Sequence, residues 1–310
     1  MDHPARLRVI PFGIASVTTA LVCPPLEQLS RRYGVMDVPN ERSSHTVVTP
    51  RTGGIACAVG ILAADASTRG WSRGGRAARA ATFALAGLGL ADDKVGLRPL
   101  PRLVAQIAVG VAYGAVTAGL RGALVGGSVL PATVNATNFM DGINGITAST
   151  VVTWALNHGF QLPSSPVRRA GGASPAPIAG AALGFLPFNA PSARLFLGDS
   201  GSYLFGAAMG ATLIADLTEP DSPGAARVAA AHAPLLVYFA DTGFTIVWRA
   251  MRGASLTEAH REHIYQRLQA SGPYPHWVVS AFIAGLNAVL AGLMHAFSRS
   301  SYLRSDGEPQ

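Results

Sequence analysis

The chain is a succession of apolar segments separated by short polar loops, and this pattern restricts its fold more than any other feature. Only 13% of the residues are charged, whereas a soluble domain is usually about one quarter charged. Segments inside a bilayer must satisfy their backbone hydrogen bonds internally, which favours helices. The apolar segments are 9–29, 55–66, 77–91, 103–120, 123–134, 143–160, 177–190, 193–215, 229–248 and 277–297. We therefore predict an all-α, polytopic membrane protein with about ten transmembrane helices, forming one domain over residues 1–297 and followed by a polar tail over 298–310.

The charged residues are few and mostly basic, giving a formal net charge of +7. In a membrane protein, a basic excess is typical of cytoplasmic loops that face anionic lipid or phosphate-bearing substrates, and it does not indicate nucleic-acid binding. The two cysteines, Cys23 and Cys57, both lie in apolar surroundings. They provide neither a disulfide framework nor metal-ligand spacing.

Two adjacent carboxylates, Asp92 and Asp93, end the apolar segment 77–91. Neighbouring carboxylates repel each other, and near hydrocarbon they are costly unless a cation or proton accompanies them. Mg²⁺, held by carboxylates and substrate phosphate oxygens, is the simplest such cation. The alternative is that the pair only ends a helix at the water interface, and the motif alone does not separate the two interpretations.

The polar loop between the first two apolar segments contains Arg42, His45 and Arg51, followed by Gly53 and Gly54. The basic side chains are suited to phosphate oxygens, and the glycines would let the backbone approach a ligand closely. For this loop alone, a solvated loop on the positive cytoplasmic side is the favoured alternative.

A block rich in carboxamides, residues 135–145, lies between two apolar segments. Asn138 and Asp141 are three residues apart, so on a helix they would share a face. Buried carboxamides suit a base edge or sugar hydroxyls, and Asp141 suits a cation or a base. A helix-ending turn is the alternative, because Asn, Asp and Gly are turn residues.

Three further polar groups are functional candidates. Asp199 follows a glycine at a predicted helix start, where it is either an N-cap or a third carboxylate around one metal. Asp241 interrupts an apolar segment, and an intramembrane carboxylate is a functional candidate or has a polar partner. His260 and His263 are predicted to share a helical face beside Arg261, which suits a pyrophosphate better than zinc. An amphipathic surface helix competes with that interpretation.

Taken in order, these blocks resemble the polyprenyl-phosphate N-acetylhexosamine-1-phosphate transferase family, glycosyltransferase family 4, which includes the phospho-MurNAc-pentapeptide translocase. The matching blocks are Asp37–Gly54, Asp92–Asp93, Asn138–Gly145, Phe196–Ser202 and Glu258–Gln266. The residues of the first and last blocks are most similar to those of the branch that initiates O-antigen or related polysaccharide synthesis. Each block is short, but five in this order are much more specific than any one of them.

The resemblance implies transfer of N-acetylhexosamine-1-phosphate from a UDP-sugar to undecaprenyl phosphate with release of UMP. It also implies Mg²⁺ or Mn²⁺ as cofactor and a cytoplasmic active site in the bacterial inner membrane; a homodimer is left open. The residue roles it implies are catalysis by Asp92, Asp93 and His263, metal binding by Asp199 and Asp93, and substrate binding by Asn138, Asp141, Arg261 and Tyr265. Arg42, His45, Arg51 and His260 are further candidates for substrate binding, because their basic side chains suit phosphate oxygens.

Two features depart from the family's pattern and keep rival functions open. Asn144 stands where the family commonly has Asp. The arginine-rich loop from Arg69 to Arg79 would lie outside the cytoplasm, against the positive-inside bias. The rivals are a decayed family member and a multi-pass transporter or flippase for a phosphorylated lipid, for which a metal triad would be superfluous.

Overall fold

The computed structural model of the chain describes residues 3–39, 44–68, 71–162, 174–219, 224–255 and 260–305. Over these residues the secondary structure is helical apart from one short antiparallel strand pair, which confirms the all-α prediction. The strands are β1 (Met36–Asp37) and β2 (Thr49–Pro50). The helices are α1 (His3–Tyr33), α2 (Gly53–Ala66), α3 (Arg73–Val95), α4 (Pro99–Met140), α5 (Ile146–Gln161), α6 (Pro175–Asn189), α7 (Gly198–Thr218), α8 (Ala225–Ala231), α9 (Ala233–Met251), α10 (Ile264–Ala270) and α11 (His276–Ser305).

Three of the described helices, α1, α4 and α11, are long and apolar enough to cross a membrane. The pair α8 and α9 is a fourth candidate, but it bends by 81°. The predicted continuous span over 229–248 is therefore wrong, because the chain turns at His232 between the two helices. The count of about ten spans stays a prediction. Helix α11 continues to Ser305, beyond the predicted start of the polar tail.

Helix α4 is a hairpin of two arms that reverses at Ala118 and Gly119, whose backbone angles are non-helical. The predicted segments 103–120 and 123–134 are thus the two arms of one unit. Facing glycines line the contact, and a Cβ atom on any of them would overlap a backbone carbonyl of the other arm. Small residues of this kind let membrane helices pack backbone against backbone. The glycines are Gly110 and Gly114 on the first arm and Gly122 and Gly126 on the second.

Helix α7 is the central element, and its residues 200–212 are all buried. It packs against α2, α3 and α4. Glycines bring the backbones together near its N-terminus, because a Cβ on Gly89 of α3 would overlap the carbonyl of Asp199, and one on Gly54 of α2 would overlap Gly201. The close packing fixes the position of the first turn of α7, which carries Asp199.

Helix α3 begins at Arg73, where Ser72 accepts a hydrogen bond from the amide of Gly75 at 2.9 Å. The predicted arginine-rich loop up to Arg79 is therefore wrong, because its second half is helical. Arg79 is buried and paired with Asp65 of α2 at 2.9 Å, which explains how an arginine is accommodated in this apolar region.

A buried hydrogen-bonded cluster lies where the C-terminal ends of α5 and α7 meet α8. Nε2 of His158 and Nε2 of His232 each lie 2.8 Å from Oδ2 of Asp216, a geometry that could also hold a metal ion. Trp154 decides between the two, because its indole N–H donates to Nδ1 of His232 at 3.1 Å. An indole nitrogen can only donate, so the neutral His232 ring carries its proton on Nε2 and directs it to Asp216. The cluster is therefore satisfied as a structural link between helices.

Candidate active site

The polar blocks that are far apart in sequence meet at one end of the helix bundle, around a cavity of about 240 Å³. This end contains the C-terminal ends of α3, α4, α6 and α9 and the N-terminal ends of α2, α5, α7 and α11. The cavity is lined by Asp37, Ser44, His45, Arg51, Asp93, Asn138, Asp141, Gly142, Ile143, Asn144, Asn189, Phe196, Leu197, Gly198, Asp199, Gln266 and His276. Six of the predicted site residues are in this set: His45, Arg51, Asp93, Asn138, Asp141 and Asp199. Arg42 lies outside the described residues.

Asp93 caps the N-terminus of α7. Its Oδ1 accepts the amide N–H of Asp199 at 3.0 Å, and its Oδ2 accepts that of Ser200 at 2.9 Å. A carboxylate at this position satisfies amides that have no partner inside the helix and interacts favourably with the helix dipole. The alternative in which Asp199 is itself the N-cap is wrong, since the capping carboxylate comes from α3 and the side chain of Asp199 faces the cavity.

Asp92 faces α4 and is not among the residues that line the cavity. Its carboxylate pairs with Arg102 and accepts the amide of Leu97 at 2.8 Å and the hydroxyl of Tyr203 at 3.2 Å. The two adjacent carboxylates therefore have different surroundings. The catalytic role assigned to Asp92 stays a prediction, and its contacts are those of a group that orients α3 relative to α4 and α7.

The carboxamide block places two groups beside Asp199. Asn138, in the last turn of α4, donates from Nδ2 to Oδ1 of Asp199 at 2.7 Å and to Ser202 at 3.0 Å. Asp141, three residues further on, is the C-cap of α4, and its side chain lines the same cavity as that of Asn138, as the spacing predicts. Burial, together with the charges of Asp199 and Asp93, raises the pKa of Asp141 to about 8. The carboxylates of Asp93, Asp141 and Asp199 thus surround one cavity, and their negative charge exceeds the positive charge close to them.

Two basic side chains, Arg51 and His45, also line the cavity. Arg51 donates to the backbone carbonyl of Asp93, and His45 packs edge-on against Phe196 at 4.7 Å between ring centres. Nε of Arg51 is buried and has no hydrogen-bond partner among the described residues, and Nε2 of His45 is also buried and lies 3.7 Å from Oδ2 of Asp37. A buried donor without a hydrogen bond is costly, and a phosphate oxygen entering the cavity would satisfy Nε of Arg51.

Among residues 260–266 of the histidine block, only Gln266 lines the cavity. The predicted helical face shared by His260 and His263 is wrong, because α10 begins at Ile264 and His263 is its N-cap. The two imidazoles stack at 5.0 Å instead. Burial, with the nearby Arg249, lowers the pKa of His260 to about 4.

The remaining residues of the block have different exposures. Arg261 is exposed, whereas Tyr265 is buried and donates to the carbonyl of Phe139 at 3.0 Å. Gln266 lines the cavity, and its side chain accepts the amide of His263 at 3.2 Å.

Sequence reasoning passed over several residues that line the cavity. Asn189 accepts the amide of Gly145 at 2.5 Å and donates to the carbonyl of Leu195 at 3.1 Å, so it joins the carboxamide block to the start of the next one. His276 accepts the amide of Asn144 at 3.5 Å at the first turn of α11. Asn189 and His276 each stand at the boundary of an apolar segment, and a polar residue at such a boundary is the sequence signal that could have identified them.

The order of these blocks and their convergence agree with comparisons of the whole sequence. The sequence pattern of glycosyl transferase family 4 matches residues 76–216, which include Asp93, Asn138, Asp141 and Asp199. A decaprenyl-phosphate N-acetylglucosaminephosphotransferase of Mycobacterium tuberculosis is 32% identical over 311 residues, covering 83% of this chain and 74% of that protein. The chain belongs to glycosyl transferase family 4.

Other members of the family are similar over most of their length. The decaprenyl-phosphate N-acetylglucosaminephosphotransferase of Mycobacterium leprae is 32% identical over 79% of this chain and 72% of its own. A phospho-N-acetylmuramoyl-pentapeptide-transferase of Synechococcus is 28% identical over 92% of this chain and 90% of its own. Family membership and the apolar helices together make this chain an integral-membrane sugar-phosphate transferase.

The residues around the cavity fit a divalent cation. Mg²⁺ prefers hard oxygen ligands and is usually bound by one or two carboxylates plus substrate phosphates. Asp199 and Asp141 supply such oxygens, and Asp93 adds negative charge although both of its oxygens already accept amide hydrogens.

Proposed function

We propose that the chain transfers N-acetylhexosamine-1-phosphate from a UDP-sugar to undecaprenyl phosphate and releases UMP, as the first lipid-linked step of O-antigen or another cell-envelope polysaccharide. One observation carries the proposal. Asp93, Asp141 and Asp199, from three different helix ends, line one cavity together with Arg51 and His45, and the buried Nε of Arg51 has no hydrogen-bond partner among the described residues. Carboxylates that can hold a cation and basic side chains that can donate to phosphate oxygens suit a metal–diphosphate complex. The names of the relatives support a polyprenyl-phosphate acceptor and the transfer of an N-acetylhexosamine phosphate.

The acidic and the basic side chains have separate tasks in binding the sugar nucleotide. When bound to Asp199 and Asp141, Mg²⁺ would supply charge neutralisation at the diphosphate and at the leaving phosphate. Arg51 and His45 would donate to the outer phosphate oxygens. Asn138 holds one oxygen of Asp199 and thereby fixes how the carboxylate faces the cavity.

The chemical step requires alignment more than a protein nucleophile. An oxygen of the lipid phosphate attacks the β-phosphorus of the UDP-sugar, and a new P–O bond forms. The bond from that phosphorus to the bridging oxygen breaks, and UMP leaves with the electron pair. The attacking phosphate is already an anion, so no proton must be removed from it. Both oxygens of Asp93 are held by backbone amides, so the structure favours direct attack over a covalent Asp93 intermediate.

The experiment is a transfer assay with purified protein in detergent or nanodiscs. The protein is mixed with undecaprenyl phosphate, Mg²⁺ and radiolabelled UDP-GlcNAc or UDP-GalNAc, and labelled lipid is extracted into butanol. We expect labelled lipid with at least one sugar, and its loss in Asp199→Asn. Glu27→Gln is the matched control, because Glu27 pairs with Arg31 and Arg194 outside the cavity. Absence of labelled lipid with every UDP-sugar, while lipid phosphate still binds, would support a carrier in place of an enzyme.

A further inference from the structure

A second buried carboxylate, outside the metal-binding wall, organises the histidine block. Asp241 lies on α9 and is only 5% exposed. Its Oδ1 lies 2.9 Å from Nδ1 of His263 and accepts the amide of Ile264 at 3.1 Å, while its Oδ2 accepts the amide of Tyr265 at 3.1 Å. The hydroxyl of Thr245, one turn along α9, also donates to Oδ1 at 3.3 Å. A single carboxylate therefore receives hydrogen bonds from two backbone amides and two side chains.

These bonds fix the imidazole of His263. Backbone amides can only donate, so both oxygens of Asp241 are acceptors, and Nδ1 of His263 must carry a proton. Nε2 is then the unprotonated ring atom, which can accept a hydrogen bond. The plane of the ring is also held, because it stacks between His260 at 5.0 Å and Phe139 at 6.0 Å.

The same carboxylate connects the histidine block to the carboxamide block. Tyr265, whose amide Asp241 accepts, donates its hydroxyl to the carbonyl of Phe139. Gly142 leaves room for that hydroxyl, since a Cβ atom there would overlap it. One turn of α10 therefore ties Asp241 to the loop that follows Asn138, and the same turn places Gln266 at the cavity wall.

We propose that Asp241 is a positioning residue for the transfer reaction. It fixes the Nδ1–H tautomer of His263 and anchors the first turn of α10 against the carboxamide block. The inference rests on the proposed function for its kinetic consequences, but its structural consequences are independent of activity. An asparagine cannot replace Asp241, because its NH₂ group would face an amide N–H or the Nδ1–H of His263.

The kinetic test is a double-mutant cycle in the transfer assay. Asp241→Asn is expected to lower kcat by about 10–100-fold, as for other partners that orient a functional histidine. In the His263→Gln background, the same change is expected to cost less than about threefold, because residues acting through one another are not additive. Thr245→Val is the matched control and should retain kcat within about threefold, since it removes a different bond to the same carboxylate. Equal losses with and without His263 would overturn the proposal, as would an Asp241→Asn protein with wild-type kcat.

A second variant and a second readout remain decisive if Asp241→Asn does not fold. In His263→Asn the amide nitrogen can still donate to Asp241 in place of Nδ1, but no group replaces Nε2. This variant should keep the wild-type Tm and lose kcat, and full activity would overturn the proposal.

Amide hydrogen exchange provides the readout that does not need turnover. Asp241→Asn should speed exchange in residues 264–270 and 139–145, whereas Thr245→Val should not. Unchanged exchange in Asp241→Asn would contradict the anchoring role. If the wild-type protein made no labelled lipid, the proposed function would fail, and the exchange result would still decide the role of Asp241.

Discussion

Replacing Asp93 with asparagine tests both its structural role at the N-terminus of α7 and its chemical role in the cavity. In the native protein each oxygen of Asp93 accepts one backbone amide from the first turn of α7, at 3.0 and 2.9 Å. Asparagine keeps one acceptor oxygen and turns an NH₂ group toward the other amide. A hydrogen bond to a charged group contributes about 1.5–3 kcal/mol, and a carboxylate at a helix N-terminus contributes about 0.3–1 kcal/mol. We therefore expect Asp93→Asn to lose about 2–4 kcal/mol of stability as well as activity.

The informative comparison is with Asp199→Asn. This change removes a charge from the cavity but leaves the backbone amides of α7 bound to Asp93, and the new side chain can still accept from Asn138. Removing the charge also relieves repulsion with the neighbouring carboxylates. Asp199→Asn should therefore lose activity while its Tm stays close to that of the wild type.

The assay is thermal unfolding of the purified variants in one detergent, together with the transfer reaction. Asp93→Asn should unfold on the order of 5 °C below the wild type, and Asp199→Asn should not. The reasoning would be refuted if both variants had the wild-type Tm, because the cap would then contribute nothing. It would also be refuted if Asp93→Asn were stable and active.

Three further predictions follow from the same geometry. Gly89→Ala should lower both Tm and activity, because a Cβ atom there would overlap the carbonyl of Asp199, whereas Gly87→Ala on the same helix meets open space and should leave both unchanged. Asp141 has a pKa of about 8, and its proton must leave before a cation binds. Cation affinity should therefore rise with pH up to about 8 and fall by up to about tenfold for each pH unit below it. Calorimetry in buffers of different ionisation enthalpy would detect the released proton, and pH-independent binding would refute this prediction. In Asp199→Asn protein, which lacks the proposed cation ligand at the cavity, added zinc should not raise the Tm, because Trp154 fixes the His232 tautomer and the Asp216 cluster then binds no metal. A rise that disappears in His158→Gln would contradict that assignment.

Apolar segments and their order could be predicted from the sequence because each depends on local hydrophobicity. The helices α2, α5 and α6 begin and end within a few residues of the predicted segments, and α11 begins where its segment does but continues to Ser305. The errors have physical causes. Ser72 starts α3 among arginines because Arg79 finds a buried partner in Asp65. The span predicted over 229–248 breaks at His232, where the ring is held by Trp154 and Asp216 from other helices.

The site shows the same division between local and distant information. The blocks that meet at the cavity were identified from residue type and spacing alone, and six of their predicted residues line it. The sequence did not separate the roles of Asp92 and Asp93, because the difference depends on which neighbouring helix each carboxylate faces. The partner of His263 was also hidden, since Asp241 lies 22 residues earlier in the chain on a different helix.

The central claim is that carboxylates from separate helix ends hold one divalent ion against the phosphates of a sugar nucleotide. Electron paramagnetic resonance of Mn²⁺ tests it directly, because bound Mn²⁺ gives a measurable coupling to nearby phosphorus nuclei. With UDP-GlcNAc present, the wild type and Glu27→Gln should each bind one Mn²⁺ per chain with coupling to phosphorus, and Asp199→Asn should not. Equal Mn²⁺ binding with the same coupling in Asp199→Asn would contradict the account.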